Sequence, residues 1–350
     1  MLFKSLLLLT LVTASISAIA VKGKAFDHIF IIFLENTNYA LAASDPVLQK
    51  FLPESILLTN YNAVTHPSEP NYLAAVGGDY YGLNDDDFHS LPANYTTIVD
   101  LLEPKNLTWK SYQQDMPSAC FTGFESNGLY FRKHNPFIIH DSIANNATRC
   151  QNVVPATQLD KDLNSTDPLP NYMFYTPNMV NDGHNTTVKD ASAWLSGFLP
   201  PLLNNPKFMN NTLVVLSFDE TDDYTIASNN VWTLLLGDAI KDLRNTTDDT
   251  YYTHYSLLST VESNWGLGNL GRNDVNTTLA NVFSFVAEAT EYKNVNVTNP
   301  LTLNGTEPGF LAKPADAKVK PSSATKKTTV ASTFSGATVA LFAGAFAAML

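Results

Sequence analysis

The stretch Ile29-Phe30-Ile31-Ile32-Phe33-Leu34, with Glu35-Asn36 directly after it, decides how this chain is read. Apolar residues without a polar break do not suit a half-exposed strand, whose side chains alternate between core and solvent. They suit a strand buried on both faces, the situation inside a parallel sheet. Comparable runs recur at 56–59, 172–175, 213–218 and 231–236. Stretches with helical patterning fall after several of them, at 41–51, 71–76, 189–203 and 254–265. Strand and helix in alternation predict an α/β fold, a mostly parallel central sheet with helices on both faces. The segment 80–164 is rich in turn residues, Asn, Pro and aromatics, and is expected to make excursions that roof a site. No internal repeat of fixed period is visible.

Outward from this core, the ends of the chain carry addresses. Lys4 precedes an apolar run to residue 20 that ends in Ala18-Ile19-Ala20, a small-x-small cleavage pattern. This predicts a secretory signal peptide over 1–20. As a membrane anchor the run would fall short of the roughly 20 apolar residues of a span. At the other end, apolar residues 336–350 follow the polar spacer Thr325-Lys326-Lys327-Thr328-Thr329 and the small residues Ser322-Ser323-Ala324. That order predicts a glycolipid (GPI) anchor attached at Ser322 or Ser323, with 324–350 removed. The Pro-, Ala-, Lys- and Ser-containing segment 307–323 predicts a flexible stalk.

The body between these signals holds ten N-x-Ser/Thr sequons, at Asn94, Asn106, Asn146, Asn164, Asn185, Asn210, Asn245, Asn276, Asn296 and Asn304. So many acceptors point to a glycosylated surface in a secreted protein. A glycan at Asn185, next to His184, would crowd a pocket there, so this side chain is expected to point outward or stay bare. Two cysteines, Cys120 and Cys150, in an oxidising compartment predict one disulfide. A formal net charge of −12 argues against a nucleic-acid partner, which would call for a basic face.

In open parallel sheets, ligands sit beyond the carboxyl ends of strands. The polar residues directly after the buried runs are therefore the candidates. Glu35-Asn36 offers a carboxylate and an amide for a hard cation or a substrate oxygen, and equally an ordinary loop start. Ser68, with Pro70 in the first turn of a helix, reads as an N-cap. It reads as well as a hydroxyl facing free backbone N–H groups that favour phosphate. A cation touching that hydroxyl would lower its pKa and make it a nucleophile. Adjacent carboxylates at Asp219-Glu220 repel unless a cation or proton relieves them, whereas Asp222 and Asp223 suit a solvated loop. Asp182-Gly183 makes a tight turn that aims His184 back over the strand ends. Arg132-Lys133-His134-Asn135-Pro136 can hold an anion, and His254 opens a helix as a cap or a residue pointing into the site.

In chain order, Leu34-Glu35-Asn36-Thr37, His66-Pro67-Ser68-Glu69-Pro70-Asn71-Tyr72, Lys133-His134-Asn135-Pro136, Asp182-Gly183-His184, Phe218-Asp219-Glu220 and Thr253-His254-Tyr255-Ser256 form a set. The set resembles the secreted acid phosphatase and phospholipase C phosphoesterase family, within the alkaline phosphatase-like superfamily. The fungal-type secreted acid phosphatases are the nearest match in wording. The resemblance runs from Phe26 to Phe285 and implies one catalytic domain over 21–306.

It further implies Ser68 as nucleophile through a phosphoserine intermediate, with His184 and His134 as catalytic partners. Glu35, Asn36, Ser68, Asp219 and Glu220 would hold the metal. Asn36, His66, Lys133 and His254 would contact substrate. Two-metal relatives keep a metal-binding His where His254 stands. Here Glu35-Asn36 and Asp219-Glu220 replace a His-rich two-zinc set, which implies one divalent metal ion of open identity. The implied partners are small phosphorylated substrates, with the membrane reached only through a GPI lipid. The implied location is the cell surface or wall.

Two other readings stand beside this one: a phospholipase C-type phosphodiesterase with the same site, and a non-catalytic glycosylated wall protein retaining the fold. The histidine acid phosphatase class is set aside because its Arg-His-Gly motif is absent.

Overall fold

The computed structural model describes residues 21–226, 228–300 and 308–312. The expected signal peptide, Asn304, the anchor sites Ser322 and Ser323, and the stalk apart from 308–312 lie outside the described residues. The central sheet is built from β1 (His28–Leu34), β2 (Ile56–Leu58), β3 (Trp109–Gln113), β4 (Val153–Pro155), β5 (Tyr172–Thr176), β6 (Thr212–Phe218), β7 (Thr233–Leu236) and β8 (Thr246–Asp248). Its spatial order is β8-β2-β7-β6-β1-β5-β3-β4. Neighbours run parallel except β7, which is antiparallel to both β6 and β2. Every residue of β1 and β6 is buried, the few polar ones, His28, Thr212 and Ser217, included.

The three long helices are α1 (Ser68–Gly77), α2 (Val188–Leu203) and α3 (His254–Trp265). All of α1 is buried, and it ends at Gly78, whose left-handed φ of 71° closes the helix. A short parallel pair, Tyr61–Asn62 with Tyr252–Thr253, sets the approach to α1 beside the start of α3.

Two expectations differ in detail. The helix expected at 41–51 breaks at Asp45, whose Oδ1 accepts from Val47 N at 2.8 Å and Leu48 N at 3.0 Å. This local turn competes with helix continuation. The segment 80–164 does make excursions, including the hairpin Glu125–Ser126 with Tyr130–Phe131. It also contributes two strands of the main sheet, β3 and β4, which interrupted apolar patterning hides. The disulfide Cys120–Cys150 fastens this region.

Away from the strand ends, α3 carries a titratable feature. Glu262 is buried against Asp274; burial first, then the charge and hydrogen bond of Asp274, push its carboxyl up to about 9. Asp274 is fixed by Leu270 N and Arg272 N, both at 2.6 Å. A pKa raised on folding gives stability that is complete below the unfolded value of about 4.3 and is lost as pH rises through the folded value. The protein is therefore expected to become less resistant to urea between pH 5 and pH 9. Glu262→Gln should flatten that trend by on the order of 1–3 kcal/mol. Equal pH slopes for the two proteins in urea titrations would contradict this.

Candidate functional site

Three neighbouring parallel strands deliver the first residues. β1 pairs with β6 in the register Leu34 to Phe218, and with β5 through Ile32 to Tyr175. Chain leaving their carboxyl ends therefore emerges side by side: Glu35-Asn36, Asp219-Glu220, and the loop to Asp182-Gly183-His184. Backbone bonds lock these exits, with Asp219 N to Leu34 O at 2.9 Å, Thr37 N to Glu220 O at 3.1 Å and Glu35 N to Asp182 O at 2.9 Å. Gly183 turns the third loop at φ +101°, a conformation a side chain would strain.

α1 delivers Ser68. Pro67 takes the N-cap position and offers no side-chain cap, and the Glu69 N–H of the first turn is taken by Asp86 Oδ1 at 3.0 Å, so the Ser68 hydroxyl is not used as a cap. Its Oγ lies 3.0 Å from Glu35 Oε2 and 3.3 Å from Glu220 Oε1. The loop before it is tied by Asn71, which accepts from Val64 N at 3.0 Å and donates to Pro67 O at 3.2 Å. Asn229 bridges the Ser68 and Glu220 loops, donating to Thr65 O at 2.8 Å and accepting from Thr221 N at 2.9 Å. Asn36 donates through Nδ2 to Glu220 Oε1 at 2.6 Å and through its backbone to Asp219 Oδ1 at 3.0 Å. Glu35, Asn36, Ser68, Asp219 and Glu220 thus form one hydrogen-bonded cluster.

This cluster is electrostatically unsatisfied. Glu35, Asp219, Glu220 and nearby Asp182 are all fully buried. Burial, then neighbouring carboxylates, pushes each of their pKa values well up. Asp219 Oδ2 and Asn36 Oδ1 are buried oxygens without a hydrogen-bond partner. Orphaned oxygen donors among crowded carboxylates are what a divalent cation would relieve, so the residues present fit such an ion.

The facing wall comes from the Arg132–His134 turn. Lys133 Nζ donates to Asp86 Oδ2 at 3.0 Å and to His184 Nε2 at 2.9 Å. His134 lies with Nε2 3.2 Å from Glu35 Oε1 and Nδ1 3.4 Å from Asp182 Oδ2. Its ring stacks on Tyr72, whose hydroxyl donates to Glu35 Oε1 at 2.6 Å. Burial holds the His134 imidazole well below its ordinary pKa. Glu35, His134 and His184 also offer ligand atoms within 4.8 Å of one another, a second cation-sized grouping that shares Glu35.

His66 contacts Glu220 through Nδ1 and stacks on Tyr224, ring centroids 3.9 Å apart. Burial takes its pKa down to about 4, and burial, then the charge of Asp86, pushes that of Glu220 well up. His254 is fully buried: Nε2 bonds Asp219 O at 2.6 Å and Nδ1 bonds the Tyr61 hydroxyl at 3.1 Å. A carbonyl only accepts, so Nε2 carries the proton and Nδ1 accepts from Tyr61. Both ring nitrogens are engaged by the protein, and His254 lies as a support beneath Asp219.

Sequence reasoning missed several members. Asp182 reads as a turn former, and only the β5 exit shows its carboxylate facing His134. Tyr72 reads as helix core. Asp86 is one of several acids in an acidic loop, and Tyr224 and Asn229 carry no sequence signal. Asp222 and Asp223 are exposed. Among the sequons, Asn94, Asn106, Asn146, Asn164, Asn185, Asn210, Asn245 and Asn296 are exposed and Asn276 is half-buried. Asn185 nonetheless turns Oδ1 to His184 Nδ1 at 2.9 Å.

Known proteins are similar to this chain in sequence. The model of the Phosphoesterase family matches residues 43–268. A probable acid phosphatase of Kluyveromyces lactis is 49% identical over 83% of this chain and 70% of its own. An acid phosphatase of Aspergillus fumigatus is 44% identical over 86% of this chain and 68% of its own. A phosphatidylinositol-3-phosphatase of Mycobacterium tuberculosis is 30% identical over 70% of this chain and 79% of its own. Among solved structures, a 2-O GAG sulfatase superposes with a TM-score of 0.50 at 12% identity, covering 76% of this chain and 75% of its own, a likeness of fold. With its motifs gathered at adjacent strand ends and its family match spanning most of the described body, this chain belongs to the Phosphoesterase family.

Proposed function

We propose that this chain is an acid phosphatase that hydrolyses phosphate monoesters with Ser68 as nucleophile. The observation that carries the reading is the Ser68 hydroxyl. It is buried at the first position of α1, uninvolved in capping, between Glu35 and Glu220. The fungal relatives named acid phosphatases, at 44–49% identity, support the same reading.

Ser68 Oγ attacks phosphorus while its proton passes to the Glu35 or Glu220 carboxylate. The α1 N-terminus and the Lys133 ammonium favour negative charge on the phosphoryl oxygens, the main catalytic contribution in phosphoryl transfer. His134, whose Nε2 lies 3.2 Å from Glu35 Oε1, protonates the departing alcohol oxygen, and His184, its Nε2 engaged by Lys133, stands beside it. The approaching phosphate charge opposes the burial that holds His134 neutral, and acid favours the protonated donor. Water then cleaves the phosphoserine, releasing phosphate and restoring the hydroxyl. One divalent cation held by Glu35, Asn36, Ser68, Asp219 and Glu220 supplies Lewis acidity when bound, and this oxygen set suits Ca²⁺, Mg²⁺, Mn²⁺ or Zn²⁺. The terminal signals and sequons support secretion, glycosylation and GPI anchoring at the cell surface. No helix among the described residues is long and apolar enough to cross a membrane.

Substrate class is tested by comparing p-nitrophenyl phosphate with p-nitrophenyl phosphorylcholine. The expected kcat/KM favours the monoester by at least about 100-fold, roughly 3 kcal/mol of transition-state discrimination. Preference for the choline diester would replace this reading with the phospholipase C-type one. Turnover of neither would leave the wall-protein reading.

A further inference from the structure

We propose that the Lys133 ammonium, bonded to His184 and Asp86, takes the place of a second metal ion at the grouping formed by Glu35, His134 and His184. The proposal rests on the phosphatase reading only for the ammonium's role toward phosphate; the occupancy claim stands on geometry.

Glu35, His134 and His184 are buried and present one ligand atom each within 4.8 Å of one another. Lys133 Nζ lies 2.9 Å from His184 Nε2 and 3.0 Å from Asp86 Oδ2. An ammonium has no lone pair, so it donates and His184 Nε2 accepts. The other ring nitrogen, Nδ1, lies 2.9 Å from Asn185 Oδ1, an atom that only accepts, and so carries the proton. His184 is therefore held in the tautomer whose Nε2 lone pair would bind a metal, and that lone pair points at a lysine. Burial opposes charge on Lys133, but Asp86 and Glu35 more than offset it and hold its pKa up. Removing the ammonium would leave the two imidazoles and the Glu35 carboxylate of that grouping, a set suited to zinc, with Asp86 losing its partner beside it. The chain thereby replaces a removable dication with a fixed charge, and a chelator acts only on the cluster around Ser68.

The test titrates the full chain with Zn²⁺ and counts bound metal by elemental analysis after desalting. Wild type and Lys133→Arg are expected to hold one equivalent and Lys133→Met two. The double variant Lys133→Met, His184→Ala should return to one. Lys133→Gln carries the same expectation as Lys133→Met and covers a methionine variant that fails to fold, judged by circular dichroism. Turnover of p-nitrophenyl phosphate by the uncharged variants should fall about 100-fold or more and recover at least tenfold as the second equivalent binds. Two equivalents in wild type, or one in a folded uncharged variant, would overturn the proposal. Failure of the phosphatase reading would abolish only the turnover arm and leave the metal counts as stated.

Discussion

Ser68→Ala is expected to lower p-nitrophenyl phosphate turnover at least about a thousandfold, because the variant retains the binding groups but has no atom to attack phosphorus. The change removes one oxygen that lies 3.0 and 3.3 Å from two carboxylate oxygens, without opening a large cavity. Its cost in stability should be on the order of 1–3 kcal/mol, because buried Glu35 Oε2 loses the Ser68 donor. Steady-state kinetics with a thermal melt on the same preparation separates loss of chemistry from loss of fold. A folded variant that turns over at the wild-type rate would remove Ser68 from the reaction.

Asp219→Asn carries the second large effect, and it has two signs. Asp219 Oδ2 is a buried oxygen with no hydrogen-bond partner, while Oδ1 is engaged by the Asn36 backbone. An amide keeps the shape and removes a negative charge from a cluster of buried carboxylates. Metal affinity should fall at least about 100-fold, since even changes to groups that only support a ligand weaken binding by about 10- to 100-fold, and turnover should fall with it. In the presence of a chelator the variant should be more stable than wild type, because like-charge repulsion among Glu35, Asp219 and Glu220 is relieved. Calorimetric melts with and without chelator, paired with elemental analysis, check both signs. Unchanged metal content together with an unchanged melting temperature would argue that Asp219 is no ligand.

Much of the fold is legible because the centre of the sheet is buried on both faces. β1 reads as an uninterrupted apolar run from Ile29 to Leu34 and β6 as one broken only by Ser217, the pattern of strands buried on both faces. β3 is hidden by contrast: Trp109-Lys110-Ser111-Tyr112-Gln113 mixes charge and amides with aromatics, and β4 is only three residues long. Both lie toward one edge of the sheet, where the demand for continuous hydrophobicity relaxes.

The site divides along the same line. Residues directly after buried strands could be found from the strand ends, which is how Glu35, Asp219 and Glu220 enter. Ser68 could not be resolved from sequence, since cap and nucleophile use the same residue at the same place. The fold separates them by giving the N-cap position to Pro67. His254 shows the limit from the other side. Its position at a helix start is readable, but the direction of its ring is set by Tyr61 and the Asp219 carbonyl, partners far away in the chain. Asn229 joins two catalytic loops from a stretch with no motif at all, because a bridging amide needs only to be the right length in the right place.

The proposed chemistry requires Ser68 Oγ to become esterified during each turnover. Acid quenching of wild-type protein during hydrolysis of a phosphomonoester, with peptide mapping of the quenched sample, reads this directly. The expected result is one phosphorylated residue, Ser68, appearing at the rate of turnover and absent from Ser68→Ala. Rapid turnover with no trapped phosphate, or with phosphate on a histidine instead, would contradict it.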